Sequence, residues 1–244
     1  MEAAMEKKNM EIQAINHQTI GQRLKSYKRS PLSLVLLLLV SVSALLTVLT
    51  LLFLIAYILI KGIPYLTPSL FAWEYTTENV SLMPALVNTV VMTGLSLLIA
   101  VPLGIFAAIY LVEYAKKGSK LVNVIRITAE TLSGIPSIVY GLFGMLFFVT
   151  ALHWGMSLLS GALTMVIMVL PLIMRTAEEA LKSVPDSYRE ASFGLGAGKL
   201  RTIFTIVLPS AVPGILAGVI LSIGRIIGET AALIYTAGSV AKVP

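Results

Sequence analysis

Long apolar runs separated by short polar connectors set the plan of this chain. The first, Leu32 to Ile60, holds 29 residues without a charge. About 20 apolar residues carry a helix across the hydrocarbon core, whereas the apolar part of a secretory leader has only about 7 to 15. The run therefore predicts a transmembrane helix over 31–60, with some tilt or overhang. Further runs predict spans from about Pro84 to Val112, Val122 to Thr150, Leu158 to Met174 and Ala211 to Ala237. The expectation is an all-α polytopic membrane protein with five spans. Pro102, with Gly94 and Gly104 nearby, predicts a kink and close helix packing in the second span. The connector 61–83, with Pro64, Tyr65, Pro68, Trp73 and Tyr75, reads as an external loop with aromatics near the headgroups.

The few polar groups inside these runs are the candidates for chemistry. Asn88 and Thr89 are expected to hydrogen-bond between helices. Arg126 and Glu130, four residues apart, predict a local ion pair on one helix face near the cytoplasm. At Ser133-Gly134-Ile135-Pro136-Ser137 the proline removes a backbone hydrogen bond and frees a carbonyl, which fits a pore-lining kink and a structural kink equally. The fifth run carries Arg225 and Glu229. From Ala211 to Arg225 is about 21 Å of helix, deep in the membrane, where a charge costs about 2.5 to 3.5 kcal/mol. Two readings stand: a guanidinium that draws an anion along a path with Glu229 as its counter-charge, or a structural ion pair between residues on one face.

Composition narrows the class. With 57% hydrophobic and 12% charged residues and a mean hydropathy of +0.90, the chain is too apolar for a soluble domain. Its net charge of +6 forms no nucleic-acid patch, because the basic residues gather at the ends of the apolar runs. Lys7, Lys8, Arg23, Lys25, Lys28 and Arg29 precede the first run. Lys116, Lys117 and Lys120 follow the second, and Arg175, Lys182, Arg189, Lys199 and Arg201 follow the fourth. Only Lys61 and Lys242 fall on the opposite side, so residues 1–30 are expected to be a cytoplasmic arm. The absence of cysteine excludes disulfides and thiolate metal sites, and His17 and His153 stand far apart, so no metal is expected. No paired carboxylates, and no nucleophile with a base at suitable spacing, point to an enzyme.

The polar stretch Arg175 to Pro209 ends in EASFGLGAGKLRTIFTIVLP. Ser187 and Glu190 have the S-x-x-E spacing of a capping box, which would start a short helix. Gly194, Gly196 and Gly198 allow a sharp turn, and Pro209 marks the turn into the last run. The glycines and Lys199 do not make a phosphate-binding loop, because Phe193 and Leu200 occupy positions that need Gly and Ser or Thr.

Glu190, Ala191 and Ser192, then Gly196 after three residues, then Ile206 to Pro209 after nine more, resemble the EAA loop of ABC-transporter permeases, with Ser192 in place of the second alanine. IPSIVYGLFG (135–144), LPLIMRTAEEAL (170–181) and GRIIGETAAL (224–233) extend the likeness over about residues 80–240. Together these blocks are similar to phosphate permeases of the PstA family. The sister family PstC typically has Met where this chain has Ala231. The resemblance implies a MetI-like helical bundle over 84–244 with a cytoplasmic coupling segment at 175–209, in a prokaryotic inner membrane. It also implies a transport subunit partnered by PstC, the ATPase PstB and the phosphate-binding protein PstS, with ATP used by PstB and no cofactor on this chain. Glu190, Ala191, Ser192, Gly196, Ile206, Leu208 and Pro209 would meet the ATPase. Arg225, Glu229, Thr230, Pro136 and Ser137 would lie along the substrate path. Family members have six spans, so a sixth is expected to be missing here. The alternatives are a permease for another oxyanion, such as molybdate or sulfate, and a membrane scaffold.

Overall fold

An apolar run with no polar stripe gives a helix with no preferred buried face, and the first run folds that way. The computed structural model describes residues 31–116 and 118–239, in two units divided at Thr67. Helix α1 (Pro31–Gly62) continues into a 3₁₀ turn at Ile63–Tyr65, 35 residues in all, with a mean hydropathy of 2.8 over the most apolar 18 of them. None of the residues of α1 is buried, the pattern of a helix solvated by lipid. Thr47 and Thr50 donate to the carbonyls of Ser43 and Leu46, both at 2.8 Å, which spares those hydroxyls exposure to hydrocarbon. The expected arm at 1–30 lies outside the described residues, as do Lys117 and Lys242.

The second unit opens on a tied loop. The Asn79 carboxamide accepts from the N–H groups of Thr76 and Ser81 and donates to the Glu74 carbonyl, while Ser81 donates to the carbonyls of Leu70 and Ala72. Helix α2 (Met83–Ile109) then runs through Pro102 into a π-turn at Tyr110–Tyr114. Next come α3 (Lys120–Ser133) and α4 (Ser137–Gly144), the latter ending in a π-turn at Met145–Ala151. Helix α5 (Leu158–Ser183) starts where the Ser157 side chain accepts the Ser160 N–H. Helices α6 (Asp186–Gly194) and α7 (Lys199–Thr202) lead through a π-turn at Ile203–Val207 into α8 (Leu208–Ile227), and α9 (Ala231–Thr236) comes last. The described residues hold no strand.

Helix α5 is the axis of this unit, with α2 and α8 packed along it. Lipid is as apolar as leucine, so close backbone approach must hold such helices together. A Cβ on Gly104 of α2 would stand 2.7 Å from Ile173 Cγ2, and one on Gly214 of α8 would stand 2.7 Å from Ala180 Cβ. Ser96 adds a bond from α2 to the Ala162 carbonyl at 3.2 Å. One core cluster surrounds Ala177, Leu181, Val184, Ile203 and Val207 at the C-terminal end of α5. A second joins Tyr140, Met165, Met168, Val169, Ile226 and Ala232 midway along it.

The last expected spans differ from the pattern of the sequence. Among the described residues four helical stretches are long and apolar enough to cross a membrane, Pro31–Tyr65, Met83–Tyr114, Leu158–Ser183 and Lys199–Ile227, and the expected five are reached if the bent pair Lys120–Ser133 and Ser137–Ala151 is one broken span. The third run is not one kinked helix, because Lys120–Ser133 and Ser137–Ala151 are bent by 101°. Proline at 136 ends helical hydrogen bonding from the residues before it, and the charges of α3 find partners on α5. Arg126 thus pairs with Glu178 at 2.6 Å and Glu130 with Arg175 at 3.6 Å, in place of the local pair expected between Arg126 and Glu130. The last span starts at Lys199, not Ala211, and stops at Ile227. Pro209 does not turn the chain, because the wide π-turn before it absorbs the missing N–H and the ring.

Candidate functional site

Two places bring the singled-out residues together. The first is the hairpin of α6 and α7. Helix α6 begins at Asp186 with Pro185 in the cap position, and no side chain caps it. The expected capping box between Ser187 and Glu190 therefore does not form, because the helix starts one residue before Ser187. The bend rests on Gly196, whose φ of +81° lies in the left-handed region that a side chain disfavours. Ser192 and Thr202, both buried, join their hydroxyls at 2.8 Å, so the serine that replaces alanine fastens α6 to α7.

The outer face of this hairpin is apolar and bare. Leu195 is 90% exposed, and Tyr188, Phe193, Leu200 and Phe204 are also exposed, an apolar surface of the kind that marks an interface. Ala191, Ser192, Gly196 and Ile206 line a groove there with Tyr188 and Arg201. Glu190 lines a different cleft, with Glu113, Arg126, Lys182 and Arg189. Leu208 packs on the core cluster around Leu181, and Pro209 is exposed in the first turn of α8.

The second place is the pair of helix breaks midway along α5. Arg225 stands in the last turn of α8, next to Ile226. Ile226 packs with Met165 and Val169, which lie seven and eleven residues beyond Leu158 in the 26-residue α5. This register keeps the guanidinium at mid-depth. Half-buried, Arg225 forms no hydrogen bond or ion pair with any described residue. It lies within electrostatic range of Tyr140, whose hydroxyl donates at 2.6 Å to the Leu132 carbonyl beside the elbow. Pro136 is exposed and Ser137 half-buried at the start of α4. Helices α4 and α9 touch so closely that a Cβ on Gly141 would stand 2.7 Å from Ala232 Cα.

Glu229 does not share a face with Arg225 or pair with it, because α8 ends at Ile227 between them. Its carboxylate instead accepts the Ala232 N–H at 3.1 Å, at the start of α9, where Thr230 is the exposed cap residue. Glu229 also lines a cavity of about 420 Å³ with Asn88, Thr89, Thr93, Ser157 and Ile226. The Thr93 hydroxyl is buried there without a partner among the described residues. Broken helices at mid-depth leave backbone groups that only protein or water can satisfy, so irregular backbone there lines a polar path or a protein contact. Among the described residues no group of three or more His, Asp or Glu could hold a metal. Thr93, Glu113 and Arg189 carry no motif and Tyr140 lies within the block 135–144, and sequence reasoning passed over all four as site residues.

Residues 100–242 match the profile of a family described as the binding-protein-dependent transport system inner membrane component. A probable ABC transporter permease protein of Bacillus subtilis (strain 168), YqgI, is 38% identical over 192 residues, which cover 76% of this chain and 63% of that protein. The phosphate transport system permease protein PstA 1 of Mycobacterium tuberculosis (strain H37Rv) is 43% identical over 154 residues, 63% of this chain and 49% of that one. PstA of Yersinia pestis is 41% identical over 180 residues, 72% and 60% of the two chains. The chain thus spans about half to two thirds of the length of these relatives. Among solved structures, the inward-facing MetNI methionine ABC transporter shares the fold, with a TM-score of 0.52 at 21% identity over 61% of this chain and 69% of that one.

Proposed function

This chain belongs to the family of binding-protein-dependent transport system inner membrane components, and we propose on that premise that it is a permease subunit of an ATP-driven importer of inorganic phosphate. The single observation that carries the reading is Arg225. A guanidinium at mid-depth, unpaired among the described residues and beside two helix breaks, is costly unless an anion or water meets it. Its forked donors fit an oxyanion. Phosphate, rather than another oxyanion, is indicated by the names of the relatives that align with the chain, PstA among them.

In this reading the path runs past Arg225, Pro136, Ser137 and Thr230, with Glu229 at its edge, and a second permease of the PstC kind supplies the other wall. A PstB-type ATPase seats on the apolar face of the α6–α7 hairpin, hydrolysing the ATP that this chain does not bind, and a PstS-type protein delivers the anion. The arm 1–30 and the hairpin face the cytoplasm, as the distribution of Lys and Arg supports. Uptake of radiolabelled phosphate into vesicles holding the reconstituted complex tests the proposal. Transport that needs ATP, and that excess unlabelled phosphate suppresses while sulfate and molybdate do not, is the expected result. Suppression by sulfate or molybdate instead would reassign the substrate.

A further inference from the structure

The docking hairpin is held from behind as well as exposed in front. Arg189 of α6 is only 13% exposed and faces Glu113, 9% exposed, at 2.9 Å. Its five N–H groups are all placed. Nε and Nη2 donate to Glu113 Oε1, Nη2 also to the Leu181 carbonyl, and Nη1 to the Val184 carbonyl and Asp186 Oδ1. Leu181 and Val184 are at the end of α5, where carbonyls lack helical partners. Lys199 of α7 lies over the Tyr114 ring, 4.7 Å from its centroid. Glu113 and Tyr114 are neighbours in the π-turn that ends α2.

Both arms of the hairpin are therefore fastened to one short turn. The Arg189 to Glu113 tie joins residues 76 apart in sequence. A buried, fully bonded guanidinium resists extraction, because removing either partner strands the other charge.

We propose that Arg189 with Glu113, and Lys199 with Tyr114, form a latch that makes the docking hairpin and the cytoplasmic end of α2 one mechanical body, so that motion imposed by the ATPase reaches α2 directly. Arg189 and Glu113 are positioning residues in this scheme and touch neither substrate nor nucleotide. The inference rests on the reading of the hairpin as the ATPase seat.

The test uses the whole reconstituted complex and measures phosphate imported per ATP hydrolysed, together with co-purification of the ATPase. A wild-type complex that neither holds the ATPase nor imports phosphate would count against the functional reading, whereas the latch is judged only against a working wild type. Glu113→Gln and Arg189→Lys should each lower the transport ratio about tenfold while the ATPase still co-purifies. The chain has no cysteine, so Glu113→Cys combined with Arg189→Cys provides the only thiols in it. This double variant should be uncoupled, and joining its thiols with a short bismaleimide should restore coupling. An unchanged ratio in both single variants, loss of ATPase co-purification in both, or a cross-link that leaves the double variant uncoupled would each overturn the latch. Loss of co-purification would make the pair a folding element only.

Discussion

Gly196 allows the bend of the docking hairpin to be tested through its backbone. Its φ is +81°, and a Cβ there would meet nothing of this chain within 4 Å, so within the permease any penalty for a side chain comes from the backbone and none from crowding. For an L-residue the left-handed conformation costs about 1 to 2 kcal/mol, with β-branched residues worst and Asn mildest. Since about 1.4 kcal/mol is a tenfold change in an equilibrium, Gly196→Ala should reduce the population of the bent hairpin by about 5- to 30-fold. Gly196→Val should exceed that, and Gly196→Asn should fall below it. Gly198 provides the control. It has φ −73° and ψ 159° and equally open space, so Gly198→Ala should change little. The assay is the affinity of the detergent-solubilised permease for its ATPase, read beside membrane insertion, which all four variants should retain. The order Val, Ala, Asn, from most to least damaging, is the signature of a backbone requirement. If Gly198→Ala weakened binding as much as Gly196→Ala, the left-handed bend would not be what the ATPase reads.

Arg225→Gln should abolish phosphate uptake while the complex still assembles, because no carboxylate among the described residues is left stranded; near-normal uptake in vesicles would remove Arg225 from the path. Glu178→Ala removes a carboxylate that is 7% exposed and that holds Arg126 at 2.6 Å and Lys182 at 2.7 Å. With both cations half exposed, the loss should be about 1 to 3 kcal/mol, visible as a lower thermal midpoint and faster proteolysis before α3. Gly218→Val places a branched side chain against Thr176 and should separate α8 from α5 at about 1 to 3 kcal/mol, read as reduced yield of folded permease by size-exclusion chromatography.

The features legible in the sequence are the local ones. A run of apolar residues declares a span by length alone, so Pro31–Gly62 and Leu158–Ser183 begin close to the expected positions. Gly196 was legible too, because the need for a left-handed residue at a tight bend selects glycine. The breaks were harder. Proline at 136 announces an interruption, but an angle of 101° depends on what receives α3, namely Glu178 and Arg175 some fifty residues later. The i, i+4 spacings of Arg126 with Glu130 and of Arg225 with Glu229 look alike in sequence and both mislead, the first because a better partner lies on another helix, the second because the helix ends between them. Arg189 counted only among the basic residues that flank the fourth run, since only the fold brings Glu113 to it.

The π-turn at Ile203–Val207 also explains a length. A π-turn holds one residue more than the α-helical turn it replaces, and each residue of helix rotates the next by about 100°. The nine residues between Gly196 and Ile206 therefore include one that winds the helix without lengthening its role. Deleting a single helical residue there would turn the hairpin by about 100° about the axis of α8, swinging Tyr188 and Leu195 together to another side. A spacing that looks like a recognition code is, on this view, a phase: insertions and deletions in this stretch are excluded by angle before any partner is consulted.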